Sequence, residues 1–363
     1  LTSISVPAYY LASQIGMFVS TVVYVNAGAE LAQITSLSGL VSPSVIVSFT
    51  LLGVVPLVAK VLIGVIQRRK RLAAFKKPKR FDANVVVVGG GSAGLVTSLI
   101  VAGAKAKVVL VEKHRMGGDC LYTGCVPSKS IIRSGRIMSY IRRAADYGIV
   151  DAAGKVDFAA VMQRVQGVIE TIEPHDSPER FTSLGVTCVS GSARLISPYE
   201  VEVDGKIITT ESIVIASGAR PFVPHVPGLA DIDYLTSDNV WSLTELPPRL
   251  LVVGGGPIGC ELAQAFSHLG SKVTQVDMAA RIMPREDEDV SAAVSARFLE
   301  HGIDLLTGHK LLKFETVDGE HFMEAEHEGS TVRIAFDKVL LAIGRKANTE
   351  DFGLEEIGVA LTP

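Results

Sequence analysis

One pattern occurs twice in this chain. Residues 84–88 read as a short β-branched strand, followed by Gly89-x-Gly91-x-x-Gly94, a helix over 93–103 and a strand over 107–111 that runs into Glu112. The same order returns with a strand over 250–253, Gly254-x-Gly256-x-x-Gly259, a helix over 260–269, a strand over 272–276 and Asp277. From first glycine to terminal acid the spacing is 23 residues in both copies. One GxGxxG marks any tight turn. Two, each between strand and helix with an acid at matched distance, restrict the chain to an α/β architecture with two Rossmann-like dinucleotide-binding domains. The glycines let the backbone approach a pyrophosphate, and the helix N-terminus offers free N–H groups and a partial positive charge. Ser92 and Ala93 in the first fingerprint, and Pro257 and Ile258 in the second, are further cofactor-binding candidates. Glu112, with Lys113 beside it, would accept hydrogen bonds from one adenosine ribose and Asp277 from the other. An acid at Asp277 repels a 2′-phosphate and favours NAD(H) over NADP(H), with Arg281 four residues on working against that preference.

Two cysteines follow the first acid, in Gly117-Gly118-Asp119-Cys120-Leu121-Tyr122-Thr123-Gly124-Cys125-Val126-Pro127-Ser128-Lys129. A thiol pair beside a bound redox cofactor can pass two electrons as a disulfide/dithiol couple, provided both sulfurs come within bonding reach. Because the pair comes directly after Glu112, the first unit is expected to hold FAD and the second the nicotinamide. Cys125 begins a helix-like run over 125–139, where a helix N-terminus is expected to lower its pKa. Lys129, four residues on, shares its helical face. A zinc or structural pair is the alternative, but no Cys or His stands nearby at zinc spacing, and no metal site is expected. Cys188 and Cys260 read as small buried hydrophobes, and His114, His268 and His301 as structural.

The GGxC…GCxPSK run resembles the redox-active motif of the flavin-dependent pyridine nucleotide-disulfide oxidoreductases, of the mercuric reductase and dihydrolipoamide dehydrogenase type. Residues 215–221, with Ser217 and Gly218, resemble the family's T-G-A-x-P turn; residues 340–349, with Gly344, resemble its G-R-x-P-N-T return. The resemblance covers 81–363. It implies that Cys125 is the thiol nearest the flavin and Cys120 the interchange thiol, with Gly118 and Asp119 also at the cofactor. It further implies that Lys129 lies near the flavin ring and pairs with Glu261. Pro257 stands where several relatives place a gating tyrosine, and Tyr122 replaces the usual asparagine between the cysteines. Implied boundaries are 82–228 for the FAD-binding domain, 229–345 for the NAD(P)-binding domain and 346–363 for the start of a return to the first. A C-terminal dimerisation domain, supplying a His–Glu pair to the partner of a homodimer, is expected beyond residue 363. Without it, the 363 residues are expected to bind FAD poorly and turn over slowly.

Charge divides the chain again. Residues 1–66 hold only Glu30 and Lys60, whereas 67–80 carry eight Lys/Arg and no acid. After Arg80 there remain 26 basic and 37 acidic residues, a net charge of −11 that the overall −3 conceals. The order of apolar leader, basic linker over 67–81 and acidic body is that of a membrane-anchored enzyme whose catalytic part is cytoplasmic. Residues 45–66 are expected to span the bilayer, and 6–29 to form a packed or re-entrant helix, with 1–66 together the end of a membrane domain. A cleaved signal peptide fits less well, because two apolar segments precede the basic run. Anionic lipid headgroups are the expected partner of that run, not nucleic acid, since only Phe75 interleaves it. Residues 13–28 resemble the last part of a DedA-like (SNARE-associated Golgi protein) membrane domain.

The leading expectation is an FAD-dependent oxidoreductase passing electrons from NAD(P)H through FAD and Cys125–Cys120 to a thiol/disulfide or Hg(II) substrate. Two other classes remain open: a membrane transport or lipid-handling module with a flavin redox sensor, and an NADH:quinone-type flavoenzyme with incidental cysteines.

Overall fold

The computed structural model describes residues 6–32 and 43–362. The chain forms two compact units, Leu1–Lys77 and Pro78–Pro363. In the first, helices α1 (Val6–Ala32) and α2 (Pro43–Leu72) pack on one another. Among the described residues no helix is long and apolar enough to cross a membrane. The expected span over 45–66 is therefore not supported as a crossing. Lys60 stands inside the apolar part of α2, which runs on without a break into Arg68, Arg69, Lys70 and Arg71. In α2 the side chains at 44, 45, 48, 49, 51, 52, 55, 56, 67, 68 and 71 lie outside the described residues.

The second unit opens with β1 (Ala83–Val88), α3 (Ser92–Gly103) and β2 (Val108–Glu112). Helices α4 (Gly118–Tyr122), α5 (Cys125–Arg142), α6 (Phe158–Ile172) and α7 (Pro178–Ser183) follow, then β3 (Val186–Ser190), β4 (Ala193–Ser197), β5 (Glu200–Val203) and β6 (Lys206–Ile215). They make a six-stranded sheet in the order β3-β2-β1-β6-β5-β4. Strands β3, β2, β1 and β6 are parallel, while β4, β5 and β6 form an antiparallel meander. The unbroken valine run of β1 suits its place, because a central parallel strand is covered on both faces; Val86 and Val87 are fully buried.

After β7 (Ala219–Pro221) and β8 (Tyr234–Leu235) the plan repeats. Strand β9 (Arg249–Val253), helix α8 (Pro257–Leu269), β10 (Lys272–Asp277), α9 (Glu288–Glu300) and β11 (Asp304–Thr307) lead to a three-stranded excursion, β12 (Lys310–Val317), β13 (Glu320–His327) and β14 (Ser330–Phe336). The chain then re-enters the sheet as β15 (Lys338–Leu341), giving an all-parallel order β11-β10-β9-β15-β8. Strand β16 (Arg345–Ala347) pairs back with β7. The architecture is the α/β, twofold Rossmann-like arrangement that the duplicated fingerprint implies.

One core joins the two halves of this unit. Ile131 of α5, Phe158, Met162 and Val165 of α6, Leu262 and Phe266 of α8, and Leu340 of β15 are buried together. Each such side chain contributes roughly 2 kcal/mol by leaving water. Helices α5 and α8 cross at Gly135, where a Cβ would fall 3.1 Å from both the Ala265 carbonyl and the His268 Cβ. That crossing places the start of α5, with its cysteine, at the junction of the two nucleotide-binding halves.

Candidate functional site

The two fingerprints fold into the same object. Gly89 N–H donates to the Val111 carbonyl and Gly254 N–H to Val276, each at 2.8 Å. A Cβ at Gly94 would fall 1.8 Å from the Gly89 carbonyl oxygen, and one at Gly259 2.2 Å from that of Gly254. Only bare backbone permits this approach of strand and helix. The Glu112 carboxylate accepts from Gly90 N–H at 2.5 Å and from His114 N–H at 2.7 Å. Asp277 accepts from Gly255 N–H at 2.5 Å and Ala279 N–H at 2.6 Å. Each acid is thereby fixed by two amides, with lone pairs left over for a ribose.

In front of each turn the space is open. Nothing lies within 4 Å of a Cβ at Gly256, and at Gly91 only the Gly118 Cα approaches, at 3.9 Å. No side chain caps either helix, so the first amides of α3 and α8 remain available for an anion. Ser92, Ala93, Pro257 and Ile258 lie at least partly exposed at those starts, and Lys113 is exposed beside Glu112. Both cradles fit a dinucleotide pyrophosphate. A cavity of about 660 Å³ lies beside Glu112, lined also by Met116, Tyr122, Cys188 and Ser190. Cys188 is half-buried, not fully enclosed, and burial pushes its thiol up. Cys260 is buried, as expected, and its pKa is pushed up to about 11.

The redox pair sits directly after the first cradle. Gly117 N–H donates to the Gly90 carbonyl at 2.8 Å, turning the chain back across the fingerprint. Gly118 has φ 54° and its Cβ would fall 2.7 Å from Gly91 Cα, so this close approach requires glycine. Cys120 lies half-buried in α4 and Cys125 exposed at the first position of α5. The Cys125 thiol is raised above its ordinary pKa, against the expectation from its helix terminus. A hydrogen bond with the Cys120 thiol is the largest cause, followed by burial, and these outweigh the pull of Lys129.

Lys129 and Glu261 are exposed on helices that pack together, α5 and α8, but among the described residues no ion pair joins them. The implied pair is placed on adjoining elements without an ion pair between them. Ser217 donates to the Asn348 carbonyl at 2.6 Å, and Asn348 donates back to Ser217 at 2.9 Å, which ties the first sheet to the returning strand. Gly218 and Gly344 occupy left-handed backbone at this junction, with φ 71° and 139°. Arg345 binds the carboxylate of Asp119 and the Ala219 carbonyl, so Asp119 is held by the return. Sequence reasoning passed over Arg345, Asn348, Arg115, Glu173 and Trp241. The first two were visible only as letters of a turn motif, and the others carry no local signal. Among the described residues no cluster of metal-ligating groups occurs.

The model of the family described as pyridine nucleotide-disulphide oxidoreductase matches residues 83–363. The chain belongs to that family. It is 34% identical over 278 residues to a mercuric reductase of Staphylococcus aureus, covering 77% of this chain and 51% of the relative. To a dihydrolipoyl dehydrogenase of Bacillus subtilis it is 32% identical over 297 residues, covering 77% and 62%. Among solved structures, the HOCl-induced flavoprotein disulfide reductase RclA of Escherichia coli, in its Cu(II) complex, superposes with a TM-score of 0.66 at 26% identity. That match covers 79% of this chain and 61% of the other. The chain thus spans about half the length of the mercuric reductases it matches. Family membership supports FAD as a cofactor and oxidoreduction as the chemistry. Residues 1–82 fall outside the match, and these relatives lend no support to the DedA-like resemblance.

Proposed function

We propose that this chain carries the FAD- and NADH-binding parts of an oxidoreductase that reduces a disulfide or Hg(II) through Cys120 and Cys125. The carrying observation is the placement of two free thiols, Cys120 in α4 and Cys125 at the first position of α5, directly after a dinucleotide cradle whose Gly90 carbonyl accepts from Gly117 N–H at 2.8 Å. Gly89, Gly91, Gly94 and Glu112 would hold FAD, and Gly254, Gly256, Gly259 and Asp277 the nicotinamide dinucleotide. When bound, the flavin supplies a two-electron relay between the nicotinamide and the sulfurs. The chain's own part is to keep Cys125 at the helix start and to present Cys120 on the separate short helix α4. For a disulfide substrate, the Cys120 thiolate attacks one sulfur and expels the other as a thiolate. Cys125 then attacks Cys120, which releases the second thiol and leaves the Cys120–Cys125 disulfide.

NADH is favoured over NADPH by Asp277 and also by Arg281. That guanidinium donates to the carbonyls of Glu286 at 2.9 Å, Pro284 at 3.2 Å and Met283 at 3.4 Å, and so is occupied within its own loop. A second copy of the chain is the proposed partner, on the strength of exposed Ile137, Tyr140, Tyr147, Ile149 and Val150 along and after α5. Attachment to the cytoplasmic face of an anionic membrane is proposed from the charge order alone.

An anaerobic NADH titration of the full-length protein tests the central proposal. A long-wavelength absorbance band is expected after two electrons per flavin, and it should vanish in Cys125→Ser. Bleaching of the flavin without that band would overturn the disulfide route. Quinone reduction that survives Cys125→Ser would favour the quinone class, and a reducible disulfide without turnover would favour the sensor.

A further inference from the structure

Cys120 lies in a weak piece of secondary structure. Helix α4 has five residues, follows Gly117 with its φ of 105°, has no side-chain cap and is separated from α5 only by Thr123 and Gly124. A helix that short is not stable by itself. Yet a two-electron sulfur couple needs Cys120 held near Cys125 in both oxidation states, because the stability of an intramolecular disulfide follows the effective concentration of one thiol at the other. Something beyond the helix must hold it.

The structure shows what does. The Tyr122 hydroxyl, two residues after Cys120, donates to Glu173 Oε1 at 2.8 Å. Arg115 donates to the same oxygen at 2.9 Å, and its guanidinium lies 3.8 Å over the Tyr122 ring. Glu173 stands at the end of α6, which is rooted in the shared core through Val165 and Ile169. From the other side, Trp241 Nε1–H donates to the Thr123 carbonyl at 3.0 Å and to Ser237 at 2.7 Å. The electrostatics agree with one connected group. Arg115 first, then Tyr122, hold the Glu173 carboxyl below its ordinary range, while burial and Glu173 raise the Tyr122 phenol.

We propose that Tyr122, Glu173 and Arg115 form a positioning clamp that fixes Cys120 against Cys125 and thereby sets the stability of the redox disulfide. The proposal rests on the reading of Cys120 and Cys125 as a redox couple. Tyr122 touches no reacting atom and is a positioning residue. Its hydroxyl is what matters, because the ring alone would keep the Arg115 stack but leave α4 free to swing away from α6.

The test is equilibration of the full chain with reduced and oxidised dithiothreitol, followed by alkylation of free thiols and counting of Cys120 and Cys125 by mass. In this exchange the buffer dithiol loses two electrons and two protons and closes to its cyclic disulfide, while the Cys120–Cys125 bond breaks and two thiols form. Tyr122→Phe is expected to lower the equilibrium constant for disulfide formation about tenfold, equivalent to about 30 mV towards easier reduction for a two-electron couple. Glu173→Gln, which keeps an acceptor for the hydroxyl but loses the negative charge that pairs with Arg115, is expected to fall between wild type and Tyr122→Phe. Arg297→Ala, which breaks a separate surface pair with Glu300, is expected to leave the constant unchanged. An unchanged constant in Tyr122→Phe with a normally reversible couple would overturn the clamp. A wild-type chain whose two thiols never form a reversible disulfide would instead overturn the redox reading on which the clamp rests.

Discussion

The two dinucleotide units share a cradle and differ in the segment after the acid. In the first, Glu112 leads into a turn that folds tightly over the fingerprint, with Gly118 against Gly91. In the second, the N–H that returns to the fingerprint is that of Met283, donating to the Gly255 carbonyl at 2.6 Å as Gly117 does to Gly90, and nothing lies within 4 Å of a Cβ at Gly256. The first unit uses that closeness to bring two cysteines up to its cradle. In the second, the corresponding loop is held open by Arg281 on its own carbonyls, leaving room at the turn for a dinucleotide. The duplicated phosphate site does not distinguish the two functions; the packing of the next ten or so residues does.

The hardest way to break the comparison is to fill the cradles. Gly94→Ala forces a Cβ to 1.8 Å from a carbonyl oxygen, and Gly259→Ala to 2.2 Å. Each is expected to cost about 3 kcal/mol or more, since backbone must shift in a packed sheet. Urea unfolding reads the loss of stability, and bound ligand reads the division of labour. Gly94→Ala should lose flavin, whereas Gly259→Ala should keep flavin and lose NADH.

A milder change keeps both folds and removes one charge. Asp277→Asn should weaken NADH binding about tenfold, the worth of a charge-assisted hydrogen bond to a ribose hydroxyl. Flavin content should not change. Glu112→Gln should do the reverse, lowering flavin retention without altering NADH affinity measured by calorimetry. If both variants damaged the same ligand, the assignment of one cofactor to each unit would fall.

The smallest expected effect lies where the units meet. His268 of α8 and His301 after α9 touch at 3.2 Å, with Arg136 and Arg142 of α5, Arg143 just after it and Arg297 of α9 around them. Burial first, then these positive neighbours, lower the His268 pKa to about 4 from an ordinary 6.5. Because the unfolded chain takes up the proton earlier, this contribution to stability is present above about pH 6.5. It is lost as pH falls towards about 4. With the ring partly solvated, the loss is on the order of 1 kcal/mol. His268→Gln should flatten the pH dependence of the thermal midpoint across that window.

The legible part of this molecule was local. Strand, glycine turn, helix and acid succeed one another within 23 residues in each copy, and the geometry that makes a cradle is a property of those residues' own backbone. The cysteine pair was legible for the same reason. The Cys125 pKa was not: its helix position argued for a low value, whereas the fold of the intervening turn put the Cys120 thiol against it and raised it. Nor could the sequence show that Lys129 and Glu261 would lie on adjoining helices without pairing.

By itself, then, the sequence determined the α/β plan, the two phosphate turns, their acids and the presence of a thiol pair, because glycine, periodicity and short spacing act within a few residues. Only the tertiary structure decided how the redox turn is held. Tyr122 meets Glu173 across 51 residues, Thr123 meets Trp241 across 118 and Asp119 meets Arg345 across 226. Contacts at such separations exist only after the shared core has offset the chain entropy of bringing distant segments together, and that is a property of the whole fold.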